Sequence, residues 1–424
     1  MRIWETFLKI FTLRDLRNRL LYAIVLLVIA RVLAHVPLPG VDLTALQNFF
    51  NRNQIFGLFN MFSGGAMQNF SIIMMGVGPY ITSSIIMQLL THVIPSLEEL
   101  NKEGEAGREK INYWTRLFTV PLALIQSYSM IRLLQSQQIL GTLTDLQWAT
   151  ILISITAGTV LLMWIGELIS ENGIGNGVSL IIALGILAGI PTQIRNTAQI
   201  LDTSKAIGLA VFVIIFLGVI ILIILANEGT RQVPVSYARR IRGLKSYGGV
   251  DTYIPVRVNS AGVVPIIFAM SIMIFPGVIG KFLQTAKSAW IASAATSITN
   301  LFTNNWFYGV LYFVLVVFFT YFYTGFIFQP KDMAENLQKQ GGFVPGIRPG
   351  PETEGYLSKI ILRITLWGAL FLGVIAVLPF IAQAVTGINT IVLGGTGVLI
   401  MVSVIIETMR QIQAQLLMRS YENY

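Results

Sequence analysis

Apolar runs long enough to cross a bilayer recur along this chain between short polar intervals, and their spacing predicts ten spans. In order they cover 20–36, 71–93, 114–134, 146–169, 174–194, 206–227, 261–282, 306–328, 360–381 and 389–412. Ahead of them, Trp4, Phe7, Leu8 and Phe11 recur at helical spacing among Arg2, Lys9, Arg14, Arg17 and Arg19, the pattern of a helix lying in the headgroup layer. A signal peptide with residues 20–30 as its apolar part is the competing reading, but Arg31 interrupts that run and no small-residue cleavage site follows. Two intervals are longer than a turn requires. Residues 228–259 carry Pro234, Gly248, Gly249 and an alternating Tyr253-Ile254-Pro255-Val256 run, which reads as a hairpin-like protrusion, and residues 329–357 are rich in glycine and proline. Long loops of this kind serve as docking sites more readily than as plain connectors.

One stretch breaks the regular pattern. Residues 61–90 read MFSGGAMQNFSIIMMGVGPYITSSIIMQLL. The first third is too short to span and places Gly64 and Gly65 at a joint with Gln68 and Asn69 behind them. The remainder is long enough, uncharged, and interrupted by Gly76, Gly78 and Pro79. The expectation is a half-length segment that enters from one side, followed by a full span. Lipid cannot satisfy loose N–H and C=O groups, so irregular backbone at this depth must be buried in protein or line a water-filled cavity. The stretch therefore predicts a cavity.

Composition fixes the class: at 424 residues, 54% of them apolar and 12% charged, the chain is a polytopic membrane protein rather than a domain with one buried core. It has no cysteine, which excludes disulfides and thiolate metal sites. His35 and His92 lie far apart beside span ends with no ligand of matching spacing, so no metal or cofactor is expected. The net charge of +9 matters through its placement. Lys102, Arg108, Lys110, Arg231, Arg239, Arg240, Arg242, Lys245, Lys331, Lys339, Arg348 and Lys359 share the side of both termini. Arg52, Arg132, Arg195, Lys205, Lys281 and Lys287 lie opposite. That bias predicts cytoplasmic termini and a half-length segment entering from outside.

Charge is scarce within the spans. Glu167 and Glu407 fall toward cytoplasmic ends and Arg31 toward an external one, whereas an ion-coupled transporter needs a titratable site mid-span. The polar residues inside are neutral, and their plain role is interhelical hydrogen bonding. Nothing pairs a nucleophile with a base, so no enzyme is expected, and Gly173, Gly175 and Gly177 read as a tight interspan turn.

The runs MFSGGA and GVGPYITSSIIMQLL, the loop KEGEAGREKI, the turn ENGIGNGVS, the span start VNSAGVVPIIFA, the loop DMAENLQKQGGFVPGIRPG and the span end GVLIMVSVIIETMRQIQAQL occur in order across nearly the whole chain. Together they resemble the bacterial SecY family, the large subunits of the protein-conducting channel. The resemblance implies an all-α polytopic fold with ten transmembrane helices in two inverted, pseudo-symmetric halves, about 1–200 and 201–424, around an hourglass pore with a half-helix plug. It implies no enzyme activity. It places a plug at about 57–70, including Gly57, Leu58, Met61, Phe62, Ser63, Gly64, Gly65 and Ala66. A pore ring would comprise Val77, Ile81, Ile182, Ile186, Ile267 and Ile400; the pairs 77/81 and 182/186 each share a helix face.

The same resemblance implies a lateral gate including Thr82, Ser83, Ile86, Gln126, Asn259, Ser271 and Phe275. It also implies that Arg239, Arg240, Arg242 and Arg348, on loops 228–259 and 329–357, dock the ribosome or the SecA motor ATPase. SecE and SecG are the implied small partners, signal peptides and nascent polypeptides the cargo, membrane lipids the surroundings, and the bacterial plasma membrane the location. Two departures stand out: Thr230-Arg231-Gln232 replaces a commonly paired basic motif, and the tail after Met418 carries only Arg419. An ion-coupled secondary transporter built from inverted repeats is the rival reading, and the missing coupling acid counts against it.

Overall fold

A computed structural model describes residues 13–41, 45–46, 60, 63–141, 143–199, 206–237, 240–242, 245–247, 251–284, 288–386 and 395–422. The helices and strands in chain order are α1 (Arg14–Leu33), α2 (Gly78–Val93), α3 (Pro95–Lys102), α4 (Glu105–Ser136), α5 (Asp145–Asn172), α6 (Gly177–Gln199), α7 (Ala206–Glu228), β1 (Thr230–Tyr237), β2 (Arg240–Arg242), β3 (Lys245–Tyr247), β4 (Thr252–Arg257), α8 (Val264–Leu283), α9 (Ala289–Thr303), α10 (Asn305–Ile327), α11 (Pro330–Lys339), β5 (Gly342–Phe343), α12 (Pro351–Thr386) and α13 (Gly395–Glu422).

A helix stands at each of the ten predicted positions. Among the described residues, five are long and apolar enough to cross a membrane by themselves, or six if α2 and α3, bent by 100° at Ile94, count as one span. Local chemistry sets several of the starts. Thr144 and Gln147 form a reciprocal capping box at α5, and the Asn304 side chain accepts from Trp306 N at α10. Prolines open α2, α3 and α11, where a missing N–H costs nothing. Along α7, Ile214, Leu217, Ile221 and Leu225 are exposed at helical spacing, as are Val310, Val314 and Phe318 on α10. Lipid is the solvent that makes such faces stable.

Three expectations need correction. The span predicted over 71–93 is helical only from Gly78; residues 63–77 run as consecutive turns, because Gly64, Gly65, Gly76 and even Phe70 hold positive φ, which ends any helix. The run KEGEAGREKI, read above as a loop, lies instead at the end of α3 and in the first turns of α4. There, Lys102 pairs with Glu98 one helical turn away at 2.6 Å. The polar interval after 282 contains α9, and the loop 329–357 contains α11.

The hairpin forms: β1 and β4 pair antiparallel, with Val233 opposite Ile254, and β5 adds to the other edge of β1. Val233, Val235 and Val256 are buried with Leu337, Leu357 and Ile361, so the protrusion has a small core of its own. The main core is larger and continuous across both predicted halves. It joins Ile73, Ile182 and Ile186 to Val219, Ile266 and Ile400.

Candidate functional site

All six predicted ring residues belong to that main core or pack against it. Val77, Ile182, Ile186 and Ile400 are buried, and Ile81 and Ile267 pack against them half-buried. They arrive from four places: the turn before α2 and α2 itself, α6, α8 and α13. Branched aliphatic side chains offer no ligand that could replace an ion's hydration shell, and a narrow apolar constriction dewets.

To one side of these residues lies a cavity of about 360 Å³. Ile81, Ile182 and Ile267 form its apolar floor, and Asn112, Arg116, Glu167 and Glu171 supply polar wall. Its lining includes the α5–α6 turn and Tyr323 near the end of α10, which places it at the end of the bundle that carries both long loops. Arg116 of α4 and Glu167 of α5 form an ion pair at 2.7 Å, and the carboxylate is largely buried. Sequence reasoning noted Glu167 but not its partner; the two are far apart in the chain and no spacing rule links them.

On the other side lies the segment of turns. Ala66 is fully buried in the ring's own core, and Met67, Phe70 and Met74 pack in a second core with Leu38, Ile131 and Ile155. Gly64, at φ +68°, sits so close to α6 that an added Cβ would lie 2.9 Å from the Cα of Gly185, between the ring positions Ile182 and Ile186. The Arg31 guanidinium donates to the Gly64 carbonyl. Ser63 and Gly65 belong to the same turns, while Gly57, Leu58, Met61 and Phe62 lie outside the described residues. Neither Gly185 nor the Arg31 contact was foreseen.

The predicted gate residues divide. Ser83 donates to the Thr115 carbonyl at 2.6 Å and Gln126 to Thr82 Oγ at 3.4 Å, which joins α2 to α4. Both helices contact α8, where Ser271 bonds only its own helix and Phe275 occupies a later turn. Ile86 is exposed. Asn259 is drawn elsewhere: it donates to Asn227 Oδ1 at 2.7 Å, and Asn227 in turn donates to Ser403 Oγ at 2.8 Å. That buried chain ties the root of the hairpin to α13, one turn from Ile400. Of the docking arginines, Arg240 and Arg242 sit on β2 of the small β2–β3 pair, Arg348 is exposed in the turns before α12, and Arg239 lies outside the described residues.

A second cavity, about 760 Å³, lies where α4 begins and α10 ends. Lys102, Arg108, Asp332 and Asn336 line it. Among the described residues no cluster of three metal-ligating side chains occurs.

The arrangement defines a class: a helical membrane protein whose aliphatic core borders a polar cavity and receives a segment of turns seated at Gly64 against α6. A model of the SecY family matches residues 71–409. The protein translocase subunit SecY of Streptomyces scabiei is 39% identical, with 99% of each chain covered. That of Corynebacterium glutamicum is 41% identical, covering 96% of this chain and 97% of that one. The structure resembles one described as a protein conducting channel, with a TM-score of 0.64 at 19% identity over 93% of this chain and 91% of that one. It also resembles Sec61 in a canine ribosome-channel complex, with a TM-score of 0.60 at 18% identity over the same shares. The chain belongs to the SecY family.

Proposed function

We propose that this chain is the pore-forming subunit of a protein-conducting channel in a bacterial plasma membrane, which moves unfolded polypeptides across and releases apolar segments sideways into lipid. A chain crossing lipid would carry unsatisfied backbone groups, each costing several kcal/mol, so it needs a wet path. The observation that carries the reading is the waist itself, with six aliphatic side chains gathered from four elements below a polar cavity. Such side chains make no directional bonds and move aside with little penalty. Residues 57–70 then act as the plug, 1–200 and 201–424 as the two halves, and the α2/α4 seam with α8 as the lateral exit. Leucine-like residues favour the bilayer by tenths of a kcal/mol each, whereas a central charge costs about 3 kcal/mol.

The basic bias puts both termini and both long loops in the cytoplasm. There Arg239, Arg240, Arg242 and Arg348 meet the ribosome or SecA, with SecE and SecG completing the complex. Family membership and the scarcity of intramembrane acids both weigh against the transporter.

The decisive experiment uses the cysteine-free background: Ile81→Cys, in the assembled complex, should crosslink to a cysteine in the middle of a stalled secretory chain. A stalled chain that reacts only with lipid-facing positions such as Leu217→Cys would end this reading.

A further inference from the structure

Arg31 is a permanent charge in an otherwise apolar stretch of α1, and such a group is expensive at membrane depth unless it has a task. Among the described residues it forms no ion pair; its guanidinium goes instead to the carbonyl of Gly64. The segment that contains Gly64 is held at two ends by different means. Its root is stitched to the end of α1 by backbone bonds, Leu38 N to Phe70 O at 2.8 Å and Ile72 N to Val36 O at 3.2 Å, with Asn69 Nδ2 to Ala34 O at 3.3 Å beside them. Among the described residues, the tip, Gly64, is held by the Arg31 bond and the close approach to Gly185 on α6. At the root itself Phe70 holds φ +45°, a conformation that a bulky residue keeps only under constraint.

We propose that Arg31 is the latch of the resting channel, a positioning residue that acts through the Gly64 carbonyl to keep the tip seated beneath Ile182 and Ile186. This rests on the channel reading above. The acceptor is the informative part. Every residue of a translocating polypeptide brings a carbonyl, so a chain arriving at the waist can take over the guanidinium, like for like, and free the tip to swing about the root. Release is thus driven by the substrate and requires no titration or nucleotide.

The test uses the complete channel complex in proteoliposomes, with resting ion flux and export of a precursor bearing a defective signal peptide as readouts. A charge-assisted hydrogen bond sets the scale: Arg31→Gln should raise resting flux about ten- to a hundredfold and increase export of the defective precursor. Arg31→Lys, which keeps the charge but not the fork, should fall between it and the wild type. In a channel lacking residues 57–70, Arg31→Gln should add no further leak. Resting flux equal to wild type in Arg31→Gln, or an additional leak in the deleted background, overturns the latch. If Arg31→Gln fails to accumulate, Arg31→Lys alone decides, and wild-type flux in it overturns the proposal. A wild-type complex that moves no precursor would instead defeat the channel reading.

Discussion

Two of the arginines within predicted spans, Arg116 and Arg31, meet partners that differ in kind. Arg116, in the wall of the polar cavity, meets the carboxylate of Glu167 on the neighbouring helix. Arg31, on the far side of the waist, meets a peptide carbonyl. A carboxylate neutralises the charge, so that contact belongs to the wall. A carbonyl is one of hundreds that a substrate can offer, so the second contact is exchangeable. The acceptor, more than the donor, distinguishes fixed wall from movable seal.

The comparison can be broken at several points. The largest effect is expected at the waist, where Ile81→Asn together with Ile400→Asn should admit water and ions and relax signal-sequence selectivity. Unchanged conductance in planar bilayers would remove the ring. Next, Gly64→Val places a β-branched residue at φ +68° and a Cβ against Gly185, which should unseat the tip by about 1–3 kcal/mol and open the resting channel roughly five- to a hundredfold. Gly185→Ala, approaching from the other side, should do the same more mildly. The wall should respond differently. Glu167→Gln should cost about 1 kcal/mol, because Arg116 is partly exposed and can find water, and should lower the melting midpoint by about 1–2 °C without raising resting flux. A leak in that variant would erase the distinction drawn here.

The smallest effect belongs to Glu98, whose carboxyl Lys102 holds below the ordinary glutamate range by a hydrogen bond first and its charge second. Its contribution is present above the unfolded-state pKa and fades as pH falls through the lowered folded value. Both groups are fully solvated, so Glu98→Gln should leave thermal unfolding at neutral pH unchanged, and a measurable shift would show that α3 bears more load than its exposure implies.

The spans were legible because lipid imposes one rule on every crossing segment, and a run of 20 apolar residues satisfies it visibly. The helix faces shared by 77/81 and 182/186 were legible in spacing, whereas grouping them with Ile267 and Ile400 from other elements came only from the family resemblance. The helices α3, α9 and α11 escaped because, at 8, 15 and 10 residues, they are too short to give a run that spans a bilayer. Gly107, near the start of α4, sits so close to the Leu100 carbonyl that no side chain fits. Asn259 was assigned to the seam by the family resemblance; its amide reaches Asn227, a partner that only tertiary packing supplies. Arg31 was read as an interruption of an apolar run, which is what a lone charge looks like until its acceptor is known.

The strand contributed by Gly342 and Phe343 alongside Ser236 and Tyr237 has a mechanical consequence. It splices the two projections, residues 228–259 and 329–357, into one lever, rooted in both α7 and α12. A docking machine that pushes on either projection loads both, and changes in projection length are tolerable beyond this splice but not within it.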